Sequence, residues 1–117
     1  MTGDSVDTVR STSSGVPGRA VSEARGQRLV LDSSSRPQPD ALTNTEAFLA
    51  GISSCGVTLI ELDARERGIP LRGATVTIEG TRPAADPARF ARIALRFELA
   101  GVTPAQAEEL VATYRRR

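Results

Sequence analysis

The segment LTNTEAFLAGISSCGVTLIELDARERGIP, Leu42 to Pro70, decides the architecture. Thr43 followed three residues later by Glu46 has the form of a capping box, in which each residue satisfies the other's free amide. Gly68 suits the position just past a helix, and Pro70 bars continuation. Arg65 and Arg67 lie where the helix dipole favours cations. Glu61 with Arg65, and Asp63 with Arg67, are spaced for ion pairs one turn apart in the favourable orientation. A helix of about 24 residues, roughly 36 Å long, is predicted.

Two apolar stripes run along it. Phe48, Ile52, Cys55, Leu59 and Leu62 recur at spacings of four and three, and Leu49, Ser53, Gly56 and Ile60 form the neighbouring stripe. No charge occurs between Ala47 and Ile60. The run is shorter than the roughly 18 apolar residues of a membrane span, so a core helix enclosed on most sides is expected. Its middle is unusual. The stretch AGISSCG, Ala50 to Gly56, holds two glycines and two serines around the only cysteine. Each interior glycine costs about 1 kcal/mol relative to alanine, so close approach of another surface is implied.

Working outward, DTVRST (Asp7 to Thr12) reads as a short strand after a polar start, Met1 to Asp7, that is expected to fray. GVPG, Gly15 to Gly18, is punctuation. Ala20 to Ala24, a turn at Arg25-Gly26, and Gln27 to Asp32 read as a hairpin. The Ser-, Pro- and Asp-rich stretch from Ser33 is a long loop, a common place for function in small domains. Beyond the helix, GATVTIEG is a strand with Val76 and Ile78 on one face. After the turn TRPAADPARF, the stretch ARIALRFELA alternates. Ile93, Leu95, Phe97 and Leu99 face inward, and Arg92, Ala94, Arg96 and Glu98 face outward. Thr103, Pro104 and Gln106 make a second capping box with proline at the first helical position. The order ββ(β)-α-ββ-α is an α+β pattern of antiparallel strands and a long helix in a single domain, residues 1–117.

Composition excludes several chemistries. The 15 basic residues, all arginine, are balanced by 14 acids, which gives no electrostatic case for nucleic acid. Without lysine there is no Schiff base and no P-loop. Without histidine there is no Ser-His-Asp triad, Cys-His pair or histidine-ligated zinc. One cysteine makes no internal disulfide, which fits a reducing cytoplasm. Such a cysteine is often a small apolar filler. Any thiol chemistry here must be tuned by arginines and carboxylates.

Taken in order, Thr45-Glu46, Leu49 to Cys55, Thr58-Leu59, Ala64 to Gly68, Ile69-Pro70-Leu71 and Ala74 to Ile78 resemble the OsmC/Ohr family in its OsmC-like branch. The family takes its name from osmotically inducible protein C and the organic hydroperoxide resistance proteins. The resemblance is specific over residues 44–80 and generic outside them. Two departures stand out. Thr45 occupies a position where proline is usual. The family also commonly has a second cysteine, in Cys-Pro, where the C-terminal helix ends; this sequence reaches Arg117 without it, so a shortened domain is expected.

The resemblance implies an intertwined homodimer with antiparallel sheet wrapped around long central helices, whose close crossing would explain the small residues. It implies thiol peroxidation with Cys55 and Glu46 as catalytic residues. The Cys55 thiolate would attack a peroxide bond and become sulfenic acid, an arginine would lower the thiol pKa, and Glu46 would orient that arginine. The arginine stays open. Gly18-Arg19 is similar to the family's Gly-Arg segment, at a different spacing. Nine residues separate Glu46 from Cys55, about 2.5 turns, so on a straight helix they face opposite ways. A joint role requires a partner subunit, a helix distortion or an arginine between them. The implied partners are a second copy, a small hydroperoxide or hydrophobic ligand and an external thiol reductant, with no cofactor, metal, nucleic acid or membrane. Two rival readings are a non-catalytic dimer binding a hydrophobic ligand and a structural dimer with an inert, buried Cys55.

Overall fold

The computed structural model describes residues 3–116. Seven elements follow in the expected order: β1 Arg10–Ser13, β2 Arg19–Ala24, β3 Gln27–Asp32, α1 Asn44–Arg67, β4 Gly73–Thr81, β5 Arg92–Ala100 and α2 Pro104–Arg115. The strands form two antiparallel sheets, β1-β2-β3 and β4-β5. The fold is α+β. The chain divides after Ala47 into two compact units.

In the first unit, the turn between β2 and β3 sets everything else. Arg25 and Gly26 have φ of 52° and 78°. Two consecutive positive values mark the tight turn whose twist matches that of paired strands. With two turn residues the register is fixed: Ala24 faces Gln27, Val21 faces Val30, and Arg19 faces Asp32. β1 adds to β2, starting at Arg10 rather than at Asp7, and residues 3–9 carry no regular structure.

The loop after β3 folds back along the sheet. Asp32 donates its amide to the Leu42 carbonyl at 2.8 Å, and Ser33 donates to the Gly18 carbonyl at 2.8 Å. The capping box then starts α1. Thr43 donates its amide to Glu46 Oε1 at 2.9 Å, and Glu46 donates its own to Thr43 Oγ1 at 3.1 Å. The amide of Asn44 is satisfied by Ser33 Oγ at 2.9 Å.

In the second unit, α1 buries Gly56, Ile60, Asp63 and Ala64, one narrow stripe. Ile60 and Ala64 meet Leu110 of α2, with Ile69, Leu71, Ala74, Phe97, Leu99 and Tyr114 packed around them. A side-chain carbon on Gly56 would lie 3.4 Å from Val76 and 3.5 Å from Tyr114. That glycine admits β4 and α2 to the helix surface. Along β5 the predicted alternation holds for Leu95, Phe97 and Leu99, which are half-buried, whereas Ile93 is exposed near the strand's start. Phe90 stacks on Phe48, ring centres 6.0 Å apart. The second capping box forms as expected, with Thr103 and Gln106 exchanging bonds ahead of α2.

One expectation is corrected. The helix is not enclosed on most sides by its own chain: the stripe carrying Phe48, Cys55 and Leu62 is exposed, Phe48 by 55% and Leu62 by 49%. Of the two anticipated ion pairs within α1, Asp63 with Arg67 forms at 3.0 Å. Glu61 and Arg65 do not pair.

Gly18 is where the first unit is most tightly closed. Its φ is +88°, and a side-chain carbon there would stand 2.8 Å from Ser34 Cα. Gly18→Ala is therefore strained twice, by conformation and by a backbone clash, and is expected to cost about 1–3 kcal/mol in urea denaturation.

Candidate functional site

Cys55 lies at the middle of α1 with its side chain exposed. The buried-filler reading of this cysteine is not met within the chain. Its neighbours explain the exposure. Apart from the adjoining residues and backbone of its own helix, Gly51 has no described atom within 4 Å of where a side-chain carbon would stand, and Ser54 and Thr58 are exposed. The Thr58 hydroxyl donates to the Cys55 carbonyl at 3.2 Å, a local helix bond that leaves the sulfur untouched.

Glu46 is exposed in the first turn of the same helix, with Oε1 engaged by the Thr43 amide. α1 runs unbroken from Asn44 to Arg67, so no distortion brings Glu46 and Cys55 together. Among the described residues, Glu46 forms no ion pair.

A fully buried carboxylate that holds an arginine, Asp32, was missed in the sequence. Asp32 ends β3 and is completely buried. It accepts from Arg19 Nε at 2.8 Å, from the Ser34 amide at 3.0 Å, from the Gln38 amide at 2.9 Å and from the Ser34 hydroxyl. The Ser34 hydroxyl bond holds the Asp32 carboxyl well below the usual carboxylate range. The backbone amides and Arg19 add to it and together outweigh the opposing cost of burial. The signal was in the hairpin. With Ala24 facing Gln27 across a two-residue turn, residue 19 must face residue 32.

Among the arginines in ion pairs, Arg19 is the least exposed, at 23% of its side chain. Only its Nε is engaged by described residues, so both terminal amino groups of the guanidinium stay available. Arg67 is the opposite case. Its Nε binds Asp63 at 3.0 Å, Nη2 binds Thr113 at 2.9 Å, and Nη1 lies 3.7 Å from Glu109. That arginine links α1 to α2. Among the described residues no cluster of three or more acids or cysteines could hold a metal ion.

A family model described as OsmC-like protein matches residues 37–117. The crystal structure of an OsmC-like protein from Mycoplasma pneumoniae matches with a TM-score of 0.83 at 17% identity, over 97% of this chain and 83% of that one. An organic hydroperoxide resistance protein OsmC from Legionella pneumophila matches with a TM-score of 0.69 at 24% identity, over 92% and 80%. An organic hydroperoxide resistance protein from Elizabethkingia anophelis matches at 0.71 and 19% identity, over 96% and 82%. No curated protein matches the chain significantly. At these identities the likenesses establish the fold.

The lowered pKa of Asp32 has a direct consequence for stability. In the unfolded chain this group takes up its proton near the ordinary aspartate value of about 3.9, whereas the folded chain holds it ionised to lower pH. The stability contributed by Asp32 is therefore complete above that value and is lost as pH falls toward the folded pKa. Wild type should exceed Asp32→Asn in stability at neutral pH. In urea titrations the gap should close as pH drops from about 5 toward about 2. A gap independent of pH would rule out the carboxylate charge as its source.

Proposed function

The chain belongs to the OsmC-like protein family, and on that premise we propose that it is a thiol-dependent peroxidase that reduces organic hydroperoxides at Cys55. The observation that carries this reading is the exposed thiol on α1, inside the segment that matches the family. The fold shared with two organic hydroperoxide resistance proteins supports it.

In this reading the Cys55 thiolate attacks the terminal oxygen of the hydroperoxide. A sulfur–oxygen bond forms as the O–O bond breaks, and sulfur gives up two electrons. The departing alkoxide takes a proton from water to leave as the alcohol, and Cys55 is left as sulfenic acid. An arginine supplies the positive charge that favours the thiolate and the leaving oxygen; a guanidinium stays charged throughout and so acts by field, not by proton transfer. Glu46, whose second carboxylate oxygen is not taken up by the helix cap, is the carboxylate that draws the arginine in. The sequence holds one cysteine. The reading includes an external dithiol as reductant: one thiol displaces water to form a mixed disulfide, and the second releases Cys55 reduced.

The reading includes a homodimer, in which a second copy covers the exposed Phe48, Cys55 and Leu62 stripe of α1. A non-catalytic alternative, capture of a small hydrophobic ligand, draws on a different place. Phe97, Leu99, Ala107, Val111 and Ala112 line a groove of about 350 Å³ between β5 and α2, and Cys55 is not part of it.

The peroxidase reading is tested by consumption of an alkyl hydroperoxide in the presence of dithiothreitol. Turnover is expected from the wild type and none above background from Cys55→Ser, with a one-oxygen mass gain on Cys55 when the reductant is left out. Wild-type protein that neither turns over nor gains oxygen would sink the reading. The dimer has its own test at Gly51. In a lone chain Gly51→Ala would stabilise α1 by about 1 kcal/mol. Against a closely packed second helix it should instead weaken association, read as dimer dissociation in sedimentation velocity.

A further inference from the structure

We propose that the open edge of β5 and the outer side of α2 form a contact surface for a second copy of this chain. The two copies are related by a two-fold axis. β5 runs antiparallel to its counterpart, and the two α2 helices lie side by side over the joined sheet. This surface belongs wholly to the second unit, and the inference does not rest on the peroxidase reading or on the exposed stripe of α1.

Three observations carry it. First, β5 is nine residues long and pairs with β4 alone among the described residues. Its other side therefore presents a row of backbone amides and carbonyls without strand partners, a template for a further strand. Second, the apolar groove of about 350 Å³ that holds Phe97, Leu99, Val111 and Ala112 lies between β5 and α2. It is on the side of α2 turned away from α1. Glu109 and Thr113 meet Arg67 of α1, whereas Glu108, Val111 and Arg115 follow a stripe on the far side of the helix. Third, the charges on that stripe are set for self-pairing. Glu108 and Arg115 are exposed and stand two turns apart in the groove lining, and neither forms an ion pair among the described residues.

A two-fold axis imposes a strict condition, because every contact occurs twice with the roles exchanged. On α2, an axis between Val111 and Ala112 sets Glu108 of one copy against Arg115 of the other, and the small Ala112 lets the helices approach. On β5, an axis at Phe97 sets Arg96 against Glu98, Leu95 against Leu99 and Ala94 against Ala100 of the second copy. No like charges meet on either element. Strand and helix satisfy the condition independently, and one axis serves both, since Phe97, Val111 and Ala112 line the same groove. The apolar residues would supply the attraction and the charges the register.

The test is sedimentation velocity of the full chain over a concentration series at low salt. It compares wild type, Glu108→Arg, Arg115→Glu and the double exchange Glu108→Arg/Arg115→Glu, with circular dichroism to verify that each is folded. Each single reversal turns both copies of an attractive pair into a repulsive one, and is expected to weaken association by about 10-fold or more. The double exchange should restore wild-type association, because the axis then pairs the same charges the other way round. An equimolar mixture of the two single variants should associate more tightly than either variant alone. Added salt should narrow all of these differences.

Single reversals that leave association unchanged overturn the proposal, and so does a double exchange that associates no better than they do. Association that responds to Gly51→Ala and not to these charges overturns it as well, while leaving the α1 dimer standing. Reversals that change only the binding of anilinonaphthalene sulfonate give the groove to a small ligand and overturn it too. Should a reversal fail to fold, Glu108→Gln and Arg115→Gln take its place. Each should weaken association in the same sense by a smaller factor, and no change in either would overturn the proposal.

Discussion

Burying a carboxylate is unfavourable unless its lone pairs are met, and the first unit is organised around meeting those of Asp32. The four donors come from three places: the opposite strand through Arg19, the start of the loop through Ser34, and further along it through Gln38. The same loop then returns its Leu42 carbonyl to the Asp32 amide, and Ser33 caps the amide of Asn44 at the start of α1. A loop rich in serine and proline has few apolar side chains with which to hold itself down. Here charge-assisted hydrogen bonds, which are shorter and stronger than neutral ones, replace the missing hydrophobic contacts.

The second unit depends on a different constraint, the narrowness of the covered face of α1. Ile60 and Leu110 are fully buried, each contributing about 1.5–3 kcal/mol by removal from water. Gly56 lets Val76 and Tyr114 come close enough to make that cover continuous. The stripe beside it is only partly covered by its own chain: Phe48 and Leu62 are about half exposed, and Phe48 is covered in part by Phe90. The two glycines of the central run therefore do different things. Gly56 serves packing within the chain, whereas Gly51 opens onto bare space.

Much of this was legible in the sequence because it is local. Both capping boxes, the Gly68 stop and the Arg25-Gly26 turn depend on residues a few positions apart, and all of them form. The choice between the two helix stripes was not legible. Neighbouring stripes of one helix have similar periodicity, and only the strands and helix that arrive from elsewhere decide which is covered. The pair of Asp63 and Arg67 forms where Glu61 and Arg65 do not, because Glu109 and Thr113 of α2 stand beside it. Asp32 was within reach. Beginning β2 at Ala20 instead of Arg19 removed the one residue whose cross-strand partner it is. The exposure of Cys55 was out of reach, since small neighbours accompany buried and accessible thiols alike.

The two hairpins differ in how much change of length they tolerate. Strand side chains alternate faces, so one residue added at Arg25-Gly26 would turn Arg19 away from Asp32 and undo the whole first unit. The connection between β4 and β5 is under no such rule. Thr81 and Arg92 are already paired at its base, and Phe90 on Phe48 is its tether near that base. Lengthening a surface loop of this kind costs little closure entropy. An insertion within residues 83–89 therefore costs the fold less than one at the short turn.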